Sequence, residues 1–267
     1  MKNMLLGLGL LFSLFFSTPI LADDGFPGRA EYPEIPLYQI SDLLRDINNV
    51  VVVDARSSLE FATLQIKGAI NIPVASKKFP DMVKELRKKT KKRIVFYCNG
   101  RTCYKSYKAA KIAMKAGVKN VFAYDAGIFE WAKAHPEHAV LLGTTPMDPN
   151  KIIPKSALHA HFLAPKQFTE TARAAPRDKR MIIDVRDLYQ RAGVGFFPGI
   201  EKWVSLDDQS KLDEHMKKAL AENRTLYIYD EAGKQVRWLQ YALERANIKN
   251  YYFMEKGAKG FYKHMIY

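Results

Sequence analysis

Cys98 and Cys103 are the only cysteines in 267 residues, and both fall in the stretch Phe96-Tyr97-Cys98-Asn99-Gly100-Arg101-Thr102-Cys103. Ahead of them Arg93-Ile94-Val95-Phe96 reads as the end of a buried strand. Behind them Lys105 to Ala116 reads as a helix that stops at Gly117. A thiol on a loop that runs into a helix N-terminus is readily held as thiolate, because unpaired backbone N–H groups and the helix dipole both favour negative charge. From Leu86 to Tyr124 there are twelve Lys or Arg and no Asp or Glu. Cys98, which opens the loop, is therefore expected to be a nucleophile that meets anionic sulfur or oxygen species. The competing role is packing, since free cysteine is among the most buried residue types.

Other chemistries fit less well. Two thiols with no nearby His do not make a four-ligand zinc site, so no metal is expected. A cysteine phosphatase needs five residues between its Cys and a phosphate-clamping Arg, and that count from Cys98 ends on Tyr104. The net charge of +14 suits anionic small molecules, anionic lipid surfaces or acidic partners. Nucleic acid is not expected, because no binding motif is present.

The elements that must carry the loop follow a repeating pattern. Met1-Lys2-Asn3, an uncharged run from Met4 to Ser17, and a segment ending at Ala22 describe a secretory signal peptide over residues 1–22. Export to a bacterial periplasm is the expectation, with no integral membrane segment once the signal is removed. Ser41 is the expected N-cap of a short helix, Val50 to Val53 a strand covered on both faces, and Gly68 to Pro73 a short strand. Pro80 to Thr90 reads as a helix, Val121 to Tyr124 as a strand, and a helix carrying Trp131 follows Gly127. Strands alternating with helices imply an α/β domain with a mostly parallel sheet.

The second half repeats the first. Ile182-Ile183-Asp184-Val185-Arg186 matches Val52-Val53-Asp54-Ala55-Arg56, Tyr229-Asp230 falls on Tyr97-Cys98, and Lys256-Gly257 falls on Ala126-Gly127. Offsets of 130 to 132 sustained over about a hundred residues indicate duplication of a whole domain. The expected organisation is a first domain over residues 23–143, a Pro- and Gly-rich linker over 144–156, and a second domain over 157–267.

Four motifs in order carry a resemblance. Asp54-x-Arg56-x-x-x-Glu60-Phe61, Gly68-Ala69-x-Asn71-Ile72-Pro73, Cys98 opening its loop, and Gly127-x-x-x-Trp131 together resemble the rhodanese family of thiosulfate sulfurtransferases. The resemblance implies two tandem rhodanese-like domains, each a small, mostly parallel sheet flanked by helices. It also implies that the second is inactive, since Asp230 stands where Cys98 does and a carboxylate cannot carry a persulfide. Gln190 stands where Glu60 does and Phe261 where Trp131 does.

The implied activity is transfer of sulfane sulfur from thiosulfate, or a similar anionic donor, to a thiophilic acceptor through a Cys98 persulfide. A sulfur-accepting protein is a further implied partner, and no cofactor is called for. The resemblance makes the amides of Asn99, Gly100, Arg101, Thr102 and Cys103 a concave nest for the terminal sulfur. Arg101 and Lys105 would attract the donor and lower the thiol pKa, while Asp54, Arg56 and Glu60 would support the site without touching substrate. Cys103 has two readings, a small hydrophobe under the loop or a resolving thiol that closes a disulfide with Cys98. Two alternatives stay open: a non-catalytic sulfur carrier or binding module, and a thiol/disulfide redox protein using Cys98 and Cys103.

Overall fold

Short apolar runs separated by amphipathic segments build two parallel sheets, each sandwiched between helices. The computed structural model describes residues 25–191 and 195–266, with side chains as far as Lys263; the signal-peptide assignment lies outside these residues. In chain order the first half comprises α1 (Pro27–Glu31), α2 (Ile40–Asp46), β1 (Val50–Asp54), α3 (Ser58–Thr63), β2 (Leu64–Ile66), β3 (Ile70–Asn71), α4 (Phe79–Lys89), β4 (Arg93–Tyr97), α5 (Lys105–Lys115), β5 (Val121–Tyr124), α6 (Gly127–Ala134) and β6 (Ala139–Leu141). The second comprises α7 (Lys155–His159), β7 (Phe162–Leu163), α8 (Pro165–Ala174), β8 (Arg180–Asp184), β9 (Glu201–Trp203), α9 (Gln209–Ala221), β10 (Thr225–Tyr229), α10 (Val236–Arg245), β11 (Tyr251–Met254) and α11 (Gly257–Ile266).

The first sheet has the order β3-β1-β4-β5, and the second β7-β11-β10-β8-β9. Every pairing within these two sheets is parallel. Read from the opposite edge, β9-β8-β10-β11 repeats β3-β1-β4-β5. Even the extra edge strand has a counterpart, because Leu37 bridges Ala123 in parallel where β7 pairs with β11. Parallel strands need crossover helices that cover both faces, which is why β1 and β4 are almost wholly apolar. Asp54 and Tyr97 lie opposite one another at the ends of β1 and β4. Cys98 therefore leaves the carboxyl end of a central strand, where open α/β sheets place their sites.

Several local expectations are corrected. Gln39, not Ser41, precedes the first turn of α2, and no side chain caps it. The strand expected over residues 68–73 shrinks to Ile70–Asn71, because pairing with β1 is limited to Val53 and Asp54. The antiparallel pair β2–β6 was not legible, since three-residue strands carry too little period-2 pattern. Part of the expected linker is helical, as α7 begins at Lys155, and the Ile153 amide donates to the Tyr241 hydroxyl at 2.9 Å.

The two halves share apolar cores. Trp238 and Tyr241 of α10 are buried in a cluster with Val52, Tyr97 and Trp131, while Leu59 of α3 joins the core around Ile183 and Leu243. Phe129 stacks on Trp238 with ring centres 5.1 Å apart. Burial of large aromatic surface across this seam opposes its opening.

Candidate active site

The floor of the site is a buried ion pair. The Arg56 guanidinium donates from Nη2 to Asp54 Oδ2 at 2.6 Å and from Nε to Asp54 Oδ1 at 3.0 Å. Both side chains are wholly buried, and Arg56 lies between the rings of Tyr97 and Trp238. Asp184 and Arg186 form the same fork in the second half, with Nε and Nη2 donating at 2.9 and 2.8 Å.

Glu60 stands on this floor. Ser57 caps α3, and Glu60 Oε2 accepts from the Ser57 amide at 3.1 Å, completing a capping box. The same oxygen accepts from Gln235 Nε2 of the second half at 3.1 Å, and Oε1 accepts from Asn99 Nδ2 at 2.7 Å. Burial opposes ionisation of Glu60. The Lys105 ammonium and the Arg56 guanidinium, with hydrogen bonds from Asn99 and Ser57, outweigh it and hold the carboxyl below its ordinary range. Asn99 is thus a bracket, since its Oδ1 also accepts from Arg56 Nη1 at 3.1 Å.

The loop is held from behind by α6. The amides of Ile128 and Phe129 donate to the carbonyls of Cys98 and Asn99 at 2.9 and 3.5 Å. Gly127 makes this approach feasible: its φ is +71°, and a Cβ there would lie 2.4 Å from the Gly100 nitrogen. Trp131 is a core residue whose indole N–H donates to the His138 carbonyl at 2.9 Å.

The thiols are arranged differently from expectation. Cys98 has no exposed surface. Its sulfur lies 3.1 Å from the Cys103 carbonyl oxygen, to which the thiol donates, and 3.6 Å from Ser106 Oγ. Burial, reinforced by a hydrogen bond to Cys103 and by that group's charge, pushes the Cys98 thiol well above its usual range. Burial thus opposes ionisation of Cys98, since the same closure that brings the loop against the helices also strips this sulfur of water. Cys103 is partly exposed. The adjoining Cys98, the amides of Lys105 and Asn99, and the Lys105 ammonium bring it down to about 7 against the opposing effect of burial.

Two further placements depart from the sequence reading. The Cys103 amide donates to the Gly100 carbonyl at 2.7 Å, so it is consumed in a turn and is not free for a nest. Arg101 reaches outward, 3.6 Å from Glu130 and over the ring of Phe26, and Thr102 Oγ1 accepts from Lys234 Nζ at 3.0 Å. Lys105 turns inward, its Nζ 3.7 Å from Asp187 Oδ2, and its charge acts on Cys103 and Glu60.

Both halves line a cleft of about 1200 Å³ above this loop. Residues 99–105 form one wall, and Asp187, Gln190 and residues 230–235 form another. Among its lining residues are eight Lys or Arg against four Asp or Glu. The second-half contributors Asp187, Asp207 and Gln235 were missed by inspection. Gln235 is the counterpart of Cys103 at the offset of 132, so the repeat register held a signal that it lies near the seam.

Comparison with known proteins places this arrangement. Residues 38–134 match the family model for the rhodanese-like domain, and the chain carries a rhodanese-like domain over that stretch. An HTH-type transcriptional regulator of Mycobacterium tuberculosis is 38% identical over 90 residues, covering 34% of this chain and 38% of the regulator. A tRNA uridine(34) hydroxylase of Cytophaga hutchinsonii is 30% identical over 89 residues, covering 33% of this chain and 28% of the hydroxylase. The matches thus span 38% and 28% of the length of these curated relatives. Among solved structures, a Bacillus halodurans protein aligns with 45% of this chain and 87% of its own at 28% identity and a TM-score of 0.37. A thiosulfate sulfurtransferase of Pseudomonas aeruginosa aligns with 86% of this chain and 43% of its own at 17% identity and a TM-score of 0.38.

Proposed function

We propose that the chain is an exported sulfurtransferase that moves sulfane sulfur from thiosulfate, or a similar anionic donor, to a thiophilic acceptor through a persulfide on the 98–103 loop. The observation that carries this reading comes from the second half. Asp230, which follows β10 as Cys98 follows β4, lays its carboxyl among the amides of Ala232, Gly233, Gln235 and Val236, whose bonds favour the anion against burial that pushes the group up. A turn of this kind is thus built to cradle negative charge, and one half fills the cradle with its own side chain. The other half offers sulfur at that place, below a cleft dominated by cations. Both features favour approach of an anionic donor.

On this reading a loop thiolate attacks the outer sulfur of thiosulfate. The sulfur–sulfur bond of the donor breaks, sulfite leaves with the electron pair, and a cysteine persulfide remains. A thiophilic acceptor then takes the outer sulfur and the thiolate is regenerated. No cofactor enters this cycle. We further propose that residues 23–143 and 157–267 are two rhodanese-like domains joined by residues 144–156, the second inactive. The pattern over residues 1–22 supports periplasmic action. Among the described residues no helix is long and apolar enough to cross a membrane.

The test is formation of thiocyanate from thiosulfate and cyanide by the full chain. Turnover that disappears when both cysteines become serine supports the reading. Absence of thiocyanate with either thiosulfate or polysulfide as donor overturns it.

A second reading is favoured by one contact. The Cys98 sulfur lies 3.1 Å from the Cys103 carbonyl oxygen, so the two thiol residues adjoin on one loop, as dithiol/disulfide exchange requires.

A further inference from the structure

Arg237, on the first turn of α10, brings to the cleft a charge that the fold leaves unanswered. Its guanidinium lies 4.3 Å from the centre of the Phe129 ring and 5.4 Å from that of Trp238, and these two rings are themselves stacked. Phe129 belongs to the first half, and its amide reaches the carbonyl of Asn99, the residue after Cys98. The guanidinium is thereby held beside the 98–103 loop on a flat aromatic platform. It is half-buried, and burial pulls its pKa down against an opposing pull from Tyr241. Among the described residues it makes no hydrogen bond and no ion pair. Three other cations of the cleft are engaged, Arg101 with Glu130, Lys105 with Asp187 and Lys234 with Thr102. The repeat explains the difference. Arg237 is the counterpart of Lys105 at the offset of 132, and Lys105 finds its carboxylate in Asp187 across the seam. The counterpart of Asp187 at the offset of 130 is Ser57, whose hydroxyl is engaged in the capping box with Glu60. Arg237 therefore has a serine where Lys105 has a carboxylate.

We propose that Arg237 is the receptor for the carboxylate of an organic thiol, which is the thiophilic acceptor of the sulfurtransferase reading on which this assignment rests. A planar fork of N–H donors matches a carboxylate through two parallel hydrogen bonds. The cleft of about 1200 Å³ is far larger than an inorganic anion requires, and Phe79, Ile112, Leu158 and Phe162 give it apolar lining for an organic body. The acceptor's carboxylate also supplies the counter-charge that a half-buried guanidinium otherwise lacks. With the carboxylate anchored there, the acceptor's thiolate attacks the outer sulfur of the loop persulfide. A new sulfur–sulfur bond forms, the bond from that sulfur to the cysteine breaks, and the cysteine leaves as thiolate with the electron pair. The acceptor departs as an organic persulfide.

Two measurements on the full-length protein test the assignment. The first compares N-acetylcysteine with N-acetylcysteinamide as acceptors of sulfur from thiosulfate, with turnover read as released sulfite. The two differ in whether a carboxylate is present. The wild type is expected to prefer the carboxylate by about tenfold in kcat/KM, the preference should vanish in Arg237→Gln, and Arg237→Lys should keep part of it. No preference in the wild type, or one that survives Arg237→Gln, overturns the assignment and leaves the sulfurtransferase reading standing. The second measurement needs no turnover. N-acetylserine, which has the carboxylate without the thiol, is titrated against tryptophan fluorescence, with N-acetylserinamide as the control. A saturable change with the carboxylate alone, lost in Arg237→Gln, is expected because Trp238 lies beside the guanidinium. An equal response to both compounds, or one unchanged in Arg237→Gln, overturns the carboxylate site. An Arg237-dependent response in a protein that releases no sulfite from thiosulfate with any acceptor, cyanide included, removes the sulfurtransferase reading and the acceptor role with it, while the carboxylate site stands.

Discussion

Replacing Lys105 with Gln removes an ammonium that acts on Cys103 while keeping a side chain of similar length. The lysine is drawn toward Asp187 and Glu60 as well as toward the thiolate, and part of it remains hydrated. An opposite charge within a few ångströms lowers an acid by about 1–3 units, and the shared, partly hydrated lysine belongs at the low end, about one unit. Cys103 should therefore move from about 7 upward to about 8, because loss of a positive neighbour disfavours the anion. At pH 7 the thiolate fraction falls from about one half to about one tenth. Intrinsic nucleophilicity rises about threefold with the higher pKa, so the alkylation rate at pH 7 drops only about twofold. The midpoint of the pH–rate profile is thus the informative quantity. The two profiles should cross between about pH 7 and 8, with the variant the faster above the crossing. Iodoacetamide labelling of the Cys103 peptide from pH 5.5 to about 10 reads both features. Lys105→Arg, which keeps the charge, should hold the midpoint near its original place. A midpoint still near 7 in Lys105→Gln would refute the reasoning, leaving the amides and the adjoining Cys98 as the cause.

Two other perturbations address the cradle and its support. Asp230→Ala leaves the amides of Ala232, Gly233, Gln235 and Val236 without their acceptor and should cost about 2–4 kcal/mol in urea unfolding. Added sulfate should recover part of that loss, whereas an unchanged midpoint with and without sulfate would show that the carboxylate is not serving those donors. Gly127→Ala forces a Cβ to within 2.4 Å of the Gly100 nitrogen at a φ of +71° and should destabilise by about 2–4 kcal/mol. It should also expose Cys98 to alkylation in the folded protein, and continued protection there would mean the loop is held without α6.

The sequence alone determined the strand–helix alternation, the placement of the thiols at the carboxyl end of a central strand, and the duplication. These follow from local properties: β-branched runs such as Val50 to Val53 suit only a covered strand, and motifs such as Asp54-x-Arg56 and Asp184-x-Arg186 recur at a fixed offset. The tertiary structure decided which sulfur is available. Thiol ionisation depends on solvent access and on the charges brought near, and here the Lys105 ammonium that acts on Cys103 is itself shared with Glu60 and with Asp187 and Asp207 of the second half. Composition counted the many lysines around the loop but could not tell that Arg101 turns outward to Glu130 while Lys105 turns inward to Cys103. A one-dimensional pattern records which charges exist, whereas their effect falls with distance and dielectric, and both are set by the folded chain.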